Sequence, residues 1–184
     1  MFARLASCLT FIAVFFIAPT ALANDLPSDS IYQFDATWQT ADGRTLKLEQ
    51  LAGKQQIAAM FYSHCLTACP VIVADMKKIE AKLSEQQKQQ TGFVLISLDT
   101  ENDSPETLAA FAKKRELGNN WTLLYGSKEQ VRALSMLLDV RYQRTEDGEI
   151  AHSKLLHLLN QKGRLIKQTK QITDPKKLIK DWQL

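Results

Sequence analysis

The stretch that decides the fold is Gln56–Pro70, QIAAMFYSHCLTACP. Gln56 to Tyr62 form a short apolar run that stops abruptly at Ser63-His64-Cys65, the pattern of a buried central strand. Pro70 suits the first turn of a following helix, where its missing N–H costs nothing. Ile72, Met76, Ile79 and Leu83 then recur at spacings of four, three and four, the apolar face of that helix. A strand thus runs directly into a helix, and both Cys65 and Cys69 sit at the junction.

Upstream, the turn Asp42-Gly43 precedes an alternating strand, Thr45-Leu46-Lys47-Leu48. Downstream, Gly92 to Leu98 (GFVLISL) reads as a second buried strand. Ser104-Pro105-Glu106 is a helix start, with a capping hydroxyl, a proline in the first position and an acid near the positive end of the helix. Ser127-Lys128-Glu129-Gln130 opens another helix with a capping box. Leu155–Leu159 and Arg164–Gln168 are two strands joined through Asn160-Gln161-Lys162-Gly163, a hairpin. Asp174-Pro175 starts a final helix. The order is strand, helix, strand, helix, helix, hairpin, helix, which predicts an α/β layered sheet. A single thioredoxin-like domain fits, its central mixed sheet flanked by helices and carrying one inserted helix. A length of 184 residues suits one such core rather than two.

The first 23 residues are expected to lie outside this domain, which then spans 24–184. Arg4 gives a positive start, Leu5 to Ile17 an apolar segment, and Pro19-Thr20-Ala21-Leu22-Ala23 an Ala-x-Ala cleavage site, the pattern of a secretory signal peptide. Export places the mature protein in the cell envelope, in the periplasm of a bacterium with two membranes. An uncleaved membrane anchor is the competing reading; the apolar segment is short for a span of about 20 residues. Cys8 stands near the start of the apolar segment instead of following it, unlike a lipoprotein cysteine, and cleavage after Ala23 leaves Cys65 and Cys69 as the two cysteines.

Basic and acidic residues number 23 and 20, intermixed along the chain, with a pI near 8.7. That balance lacks the basic patch of a nucleic-acid binder, so no nucleic-acid partner is expected. The Lys77-Lys78, Lys113-Lys114 and Lys176-Lys177 pairs read as solvated helix faces.

At a helix N-terminus, backbone N–H groups and the helix dipole favour a thiolate, the active form of cysteine in both metal binding and disulfide exchange. Cys65 and Cys69 are separated by three residues, whereas a thioredoxin-type redox pair has two. Residues four apart share a helix face, so both sulfurs could meet one metal at about 2.3 Å. The same spacing permits a disulfide, either redox-active or inert, although so short a loop constrains little of the unfolded chain. His152 lies in the loop before the hairpin, which a thioredoxin-like sheet brings near the cysteines. A lone histidine is nonetheless more often a surface or core residue. His157 falls within a strand, where partial burial is expected. His64 adjoins Cys65 and reads as an exposed neighbour or an aid to the thiolate. Two thiolates and an imidazole suit copper(I), which accepts three ligands; structural zinc calls for a fourth.

The segment from Phe61 to Pro70, an aromatic strand end followed by Cys-x-x-x-Cys-Pro, resembles the signature of the Sco/SenC family. Ser97 to Glu106 (SLDTENDSPE) is similar to that family's segment after the second strand, and His152-Ser153 ahead of Leu155–Leu159 to its distal histidine loop. The likeness covers roughly Phe34 to Gln168. It implies a thioredoxin-like fold and copper bound by Cys65, Cys69 and His152. It further implies a metallochaperone rather than an enzyme, working on the binuclear copper site of a client cuproprotein such as cytochrome c oxidase subunit II, with thiol-reducing proteins as further partners. The chain departs from the family where Ala151 replaces an acid before the histidine, and where Leu66 follows the first cysteine in place of proline. The alternative function is a thiol–disulfide oxidoreductase using the Cys65/Cys69 pair. A thiol peroxidase is disfavoured, since its Pro-x-x-x-Thr-x-x-Cys motif is lacking.

Overall fold

The computed structural model describes residues 26–65 and 68–184, with Ala68 and Cys69 described for their backbone alone. The signal peptide expected over residues 1–23 lies outside the described residues. In chain order the elements begin with β1 (Thr37–Thr40), β2 (Thr45–Lys47), β3 (Gln55–Phe61) and α1 (Ala68–Glu80). They continue with α2 (Glu85–Gln90), β4 (Thr91–Ser97), α3 (Pro105–Lys114), β5 (Trp121–Tyr125) and α4 (Lys128–Leu137). The chain closes with β6 (Tyr142–Arg144), β7 (Ile150–His152), β8 (Leu156–Leu159), β9 (Leu165–Thr169) and α5 (Pro175–Trp182).

Seven strands form one sheet in the order β2-β1-β5-β4-β3-β8-β9. The centre is parallel, β4 lying between β3 and β5, and antiparallel strands complete both edges. This is the mixed sheet expected from the sequence. Every residue of β4 is buried, as are Gln56 to Phe61 of β3, which is why these two strands read as continuous apolar runs: both their faces are covered.

The helices begin where the side chains supply caps. Ser104 accepts a hydrogen bond from the Thr107 backbone N–H with Pro105 opening α3, Ser127 accepts from Gln130 at α4, and Asp174 accepts from Lys176 and Lys177 at α5. The expected apolar face, Ile72, Met76, Ile79 and Leu83, is buried, with Leu83 just past the end of α1, and Val73 is buried beside it. Phe111 of α3 packs on Phe61 at the end of β3, with ring centroids 5.1 Å apart.

Several features differ from the sequence reading, among them the short strands β1, β6 and β7. The two successive helices expected after the second buried strand, α3 and α4, are separated by β5, a third parallel strand paired with β4 through Phe93↔Trp121 to Ile96↔Leu124. A short polar helix, α2, also precedes β4, capped by Ser84 and Gln87. The Asn160–Gly163 connection is the expected hairpin turn, with Gly163 at φ +75° against the Tyr32 ring. Among the described residues no helix is long and apolar enough to cross a membrane.

Candidate metal centre

Strands β3 and β4 run parallel with Phe61 opposite Ser97, so both deliver the chain to the same end of the sheet. The carboxyl end of a parallel sheet is where α/β proteins place their sites. Leaving β3, the chain turns through Tyr62, Ser63 and His64, and the Asp103 carboxylate fixes this turn from below. Asp103 is 3% exposed. It accepts a hydrogen bond from the Ser63 backbone N–H at 3.1 Å and from the Ser97 hydroxyl at 2.5 Å, as well as one from the Ser63 hydroxyl. One buried carboxylate thus joins the turn to the end of β4.

Cys65 follows, buried at 5% exposure and just ahead of α1. Cys69 lies in the first turn of α1. The expected sharing of a metal or a disulfide by Cys65 and Cys69 depends on the Cys69 side chain, which lies outside the description. His64 is exposed, its Nδ1 3.0 Å from the Ser63 hydroxyl and 3.6 Å from Asp103 Oδ1, in keeping with an exposed neighbour of the cysteine.

His152 comes from a different element. Strands β6 and β7 form a separate two-stranded sheet in which Tyr142 pairs with His152. Rather than an open loop, the histidine therefore lies on a short strand, and the next residue is also held, since Ser153 N–H donates to the Arg141 carbonyl at 2.8 Å. The His152 Nδ1 lies 3.1 Å from the Ser153 carbonyl. A carbonyl only accepts, so this contact places the proton on Nδ1 and the acceptor lone pair on Nε2. Burial pushes the His152 pKa down, further lowered by Lys154 and partly offset by the Ser153 carbonyl. The ring is thereby kept in the neutral form that binds metals. Where the sequence lacks an acid at Ala151, a backbone carbonyl orients the imidazole, as such outer partners commonly do.

Tyr62 brings the two elements together. Its ring meets that of His152 edge-on, with centroids 6.1 Å apart and planes at 75°. Its hydroxyl donates to Glu149 Oε2 at 2.5 Å, accepts from the Ile150 backbone N–H at 3.4 Å and is hydrogen-bonded to Cys65. Burial first, then the bonds to Glu149 and Cys65, push the Tyr62 pKa up and keep the phenol protonated. The sequence reading took Tyr62 only as the end of a strand and passed over Glu149, 87 residues away. No local pattern connects them.

His157 stands apart from this group. It is fully buried in β8, its Nε2 2.7 Å from the Leu138 carbonyl, and so is a core residue, more enclosed than expected. Among the described residues no three His, Cys, Asp or Glu side chains are already gathered as a metal-binding group. Cys65 and His152 are linked through a shared neighbour, Tyr62, which interacts with both. The donor types present, thiol and neutral imidazole, fit copper(I).

Comparison with known proteins supplies the wider setting. The family model described as SCO1/SenC matches residues 26–183. The SCO1 protein homolog of Bacillus subtilis is 28% identical over 135 residues, 71% of this chain and 69% of that protein. A Stutzerimonas stutzeri protein named for copper binding is 28% identical over 121 residues, 64% of this chain and 58% of that protein. Among solved structures, a SCO1/SenC family lipoprotein from Bacillus anthracis superposes with a TM-score of 0.72 at 29% identity, covering 80% of this chain and 90% of that one. BsSco, in which a disulfide switch was identified and which is described as a member of the Sco family of cytochrome c oxidase assembly proteins, gives a TM-score of 0.69 at 26% identity, covering 80% and 89%.

Proposed function

The chain belongs to the SCO1/SenC family, and on that premise we propose that it binds copper(I) through Cys65, Cys69 and His152 and passes it to a client cuproprotein of the cell envelope. The observation that carries this reading is the placement of Tyr62, whose hydroxyl meets Cys65 and whose ring meets His152. A thiol that follows β3 and an imidazole on β7 thereby share one neighbouring side chain. Copper(I) is soft, prefers thiolates and tolerates three ligands. It can therefore leave by ligand exchange, client thiolates replacing Cys65 and Cys69 one at a time without change of oxidation state. The relative named for copper binding and the lipoprotein relative support the metal and the envelope location. The assembly role described for BsSco supports cytochrome c oxidase subunit II as the client.

A second reading, thiol–disulfide exchange, is favoured by the position of Cys65 immediately before α1 and by the disulfide switch of BsSco. In that chemistry one thiolate of the pair attacks a client disulfide, and a mixed disulfide forms as one client thiolate leaves. The second cysteine then displaces the other client sulfur. The client gains two thiols and Cys65–Cys69 becomes the disulfide, two electrons having passed.

Anaerobic competition against a copper(I) chelator separates the two. Reduced protein is expected to hold one copper(I), with affinity lost in Cys65→Ser and lowered in His152→Ala. Weak uptake indifferent to His152, together with thiol exchange that survives His152→Ala, transfers the function to the second reading.

A further inference from the structure

We propose that Tyr62 and Glu149 are positioning residues of the copper site: Tyr62 holds the Cys65 sulfur with its hydroxyl and the His152 ring with its own, and Glu149 fixes that hydroxyl in place. The inference rests on the reading of Cys65 and His152 as copper ligands.

A phenol oxygen has one proton to give and two lone pairs to receive. In this structure each is used on the site. The proton goes to Glu149 Oε2 at 2.5 Å, a charge-assisted bond of the strong kind. One lone pair receives the Ile150 N–H at 3.4 Å, and the Cys65 sulfur is the remaining neighbour. The tyrosine is 4% exposed, so water offers little competition for these bonds. Glu149 and Ile150 lie immediately before Ala151 and His152. Tyr62 therefore grips the histidine strand through a side chain and through the backbone, and it touches the histidine ring itself with its edge. A displaced phenol would shift the sulfur and the imidazole together, and metal affinity depends on ligands held in place beforehand. Tyr62 is not itself a ligand in this scheme: the phenol stays protonated, and a hard oxygen suits copper(I) poorly.

The test compares Tyr62→Phe, which keeps the ring and removes the hydroxyl, with Glu149→Ala and Glu149→Gln. Two readouts are used on the intact protein: copper(I) affinity by anaerobic competition, and the pH profile of Cys65 alkylation in metal-free protein, followed on the Cys65 peptide by mass spectrometry. Tyr62→Phe is expected to weaken copper(I) binding about tenfold, the scale of one hydrogen bond to a charged group. It should also move the alkylation midpoint to lower pH, because the Tyr62 proton is committed to Glu149 and the neutral Cys65 thiol loses the oxygen that accepts its S–H. Glu149→Ala should weaken copper binding comparably, and Glu149→Gln, which retains an acceptor, should restore it to within a few-fold of the wild type. Wild-type affinity and an unmoved alkylation profile in Tyr62→Phe would overturn the proposal. A Glu149→Gln variant as weak as Glu149→Ala would overturn the assignment of Glu149 as a hydrogen-bond anchor. If the wild-type protein takes up no copper, the functional reading fails by itself, while the alkylation profile still decides whether Tyr62 sets the Cys65 sulfur.

Discussion

Arg144 Nη2 lies 2.7 Å from Asp99 Oδ1, so the strand that pairs with the His152 strand is bound by charge to the loop leaving β4. Asp99 has further partners in that loop: the backbone N–H groups of Glu101 and Asn102 and the Asn102 side-chain amide all donate to it. Burial pushes the Asp99 carboxyl pKa up, but the bonds from Asn102 and Arg144 outweigh it and hold the value below the ordinary 3.8. The result is a carboxylate that secures two parts of the site at once, its own side chain 4% exposed and that of Arg144 34% exposed.

Removing this carboxylate should destabilise the fold and make its acid limb shallower. Asp99→Ala is expected to cost about 1–3 kcal/mol at pH 7, since it deletes buried charge-assisted bonds. Because the folded-state pKa is depressed, the stabilisation is present above the unfolded value and is lost as pH falls through the folded value. Urea unfolding of both proteins at pH 7 and at pH 3 measures this. The gap between wild type and variant should narrow at pH 3; a gap that stays constant contradicts the account.

His157 should impose a separate pH dependence near neutrality. Burial lowers its pKa below the ordinary 6.5, partly offset by the Leu138 and Ala58 carbonyls. Above the unfolded value both states are neutral and stability is flat. Below it the unfolded chain takes up a proton that the folded chain refuses, so stability falls with pH until the folded value is reached. Denaturant midpoints of the wild type and of His157→Gln between pH 7.5 and pH 5 test this: the wild type should lose more stability across the window than the variant. Parallel curves would show that His157 does not titrate differently in the two states.

The turn between β8 and β9 should tolerate no side chain at Gly163. Its φ of +75° disfavours any L-residue, and an added Cβ would overlap the Tyr32 ring, which is buried. Gly163→Ala is expected to cost about 1–3 kcal/mol through strain and overpacking together. Gly43, at φ +81° with no atom near its Cβ position, is the control: Gly43→Ala should cost only the backbone strain. Equal losses at the two positions would contradict the role given to Tyr32.

Much of this architecture was legible in the residues. Strands β3 and β4 announce themselves because burial on both faces demands unbroken apolar runs. The starts of α3, α4 and α5 do so because Ser104, Ser127 and Asp174 are caps with proline or glutamine in the expected places. Trp121–Tyr125 was passed over because WTLLY is short and follows the polar Gly118-Asn119-Asn120. Its strand character comes from pairing with β4 and from the stacking of Trp121 on Phe93 at 4.8 Å. The α2 segment EQQKQQ has no apolar period and depends on the Ser84/Gln87 box. The cysteines and His152 were found through spacing and resemblance. Tyr62 and Glu149 were not, since a contact between positions so distant in the chain leaves no local trace. The resemblance pointed to an acid before the histidine; the structure instead orients His152 through the Ser153 carbonyl and places the acid, Glu149, on Tyr62.

The central claim, that copper(I) is held by two sulfurs and one imidazole of this chain, is tested most directly by X-ray absorption at the copper edge of reduced, copper-loaded protein. The account predicts a three-coordinate copper(I) with two sulfur ligands and one nitrogen ligand, the nitrogen being lost in His152→Ala while both sulfurs remain. A spectrum with sulfur ligands alone, unchanged by His152→Ala, would contradict it.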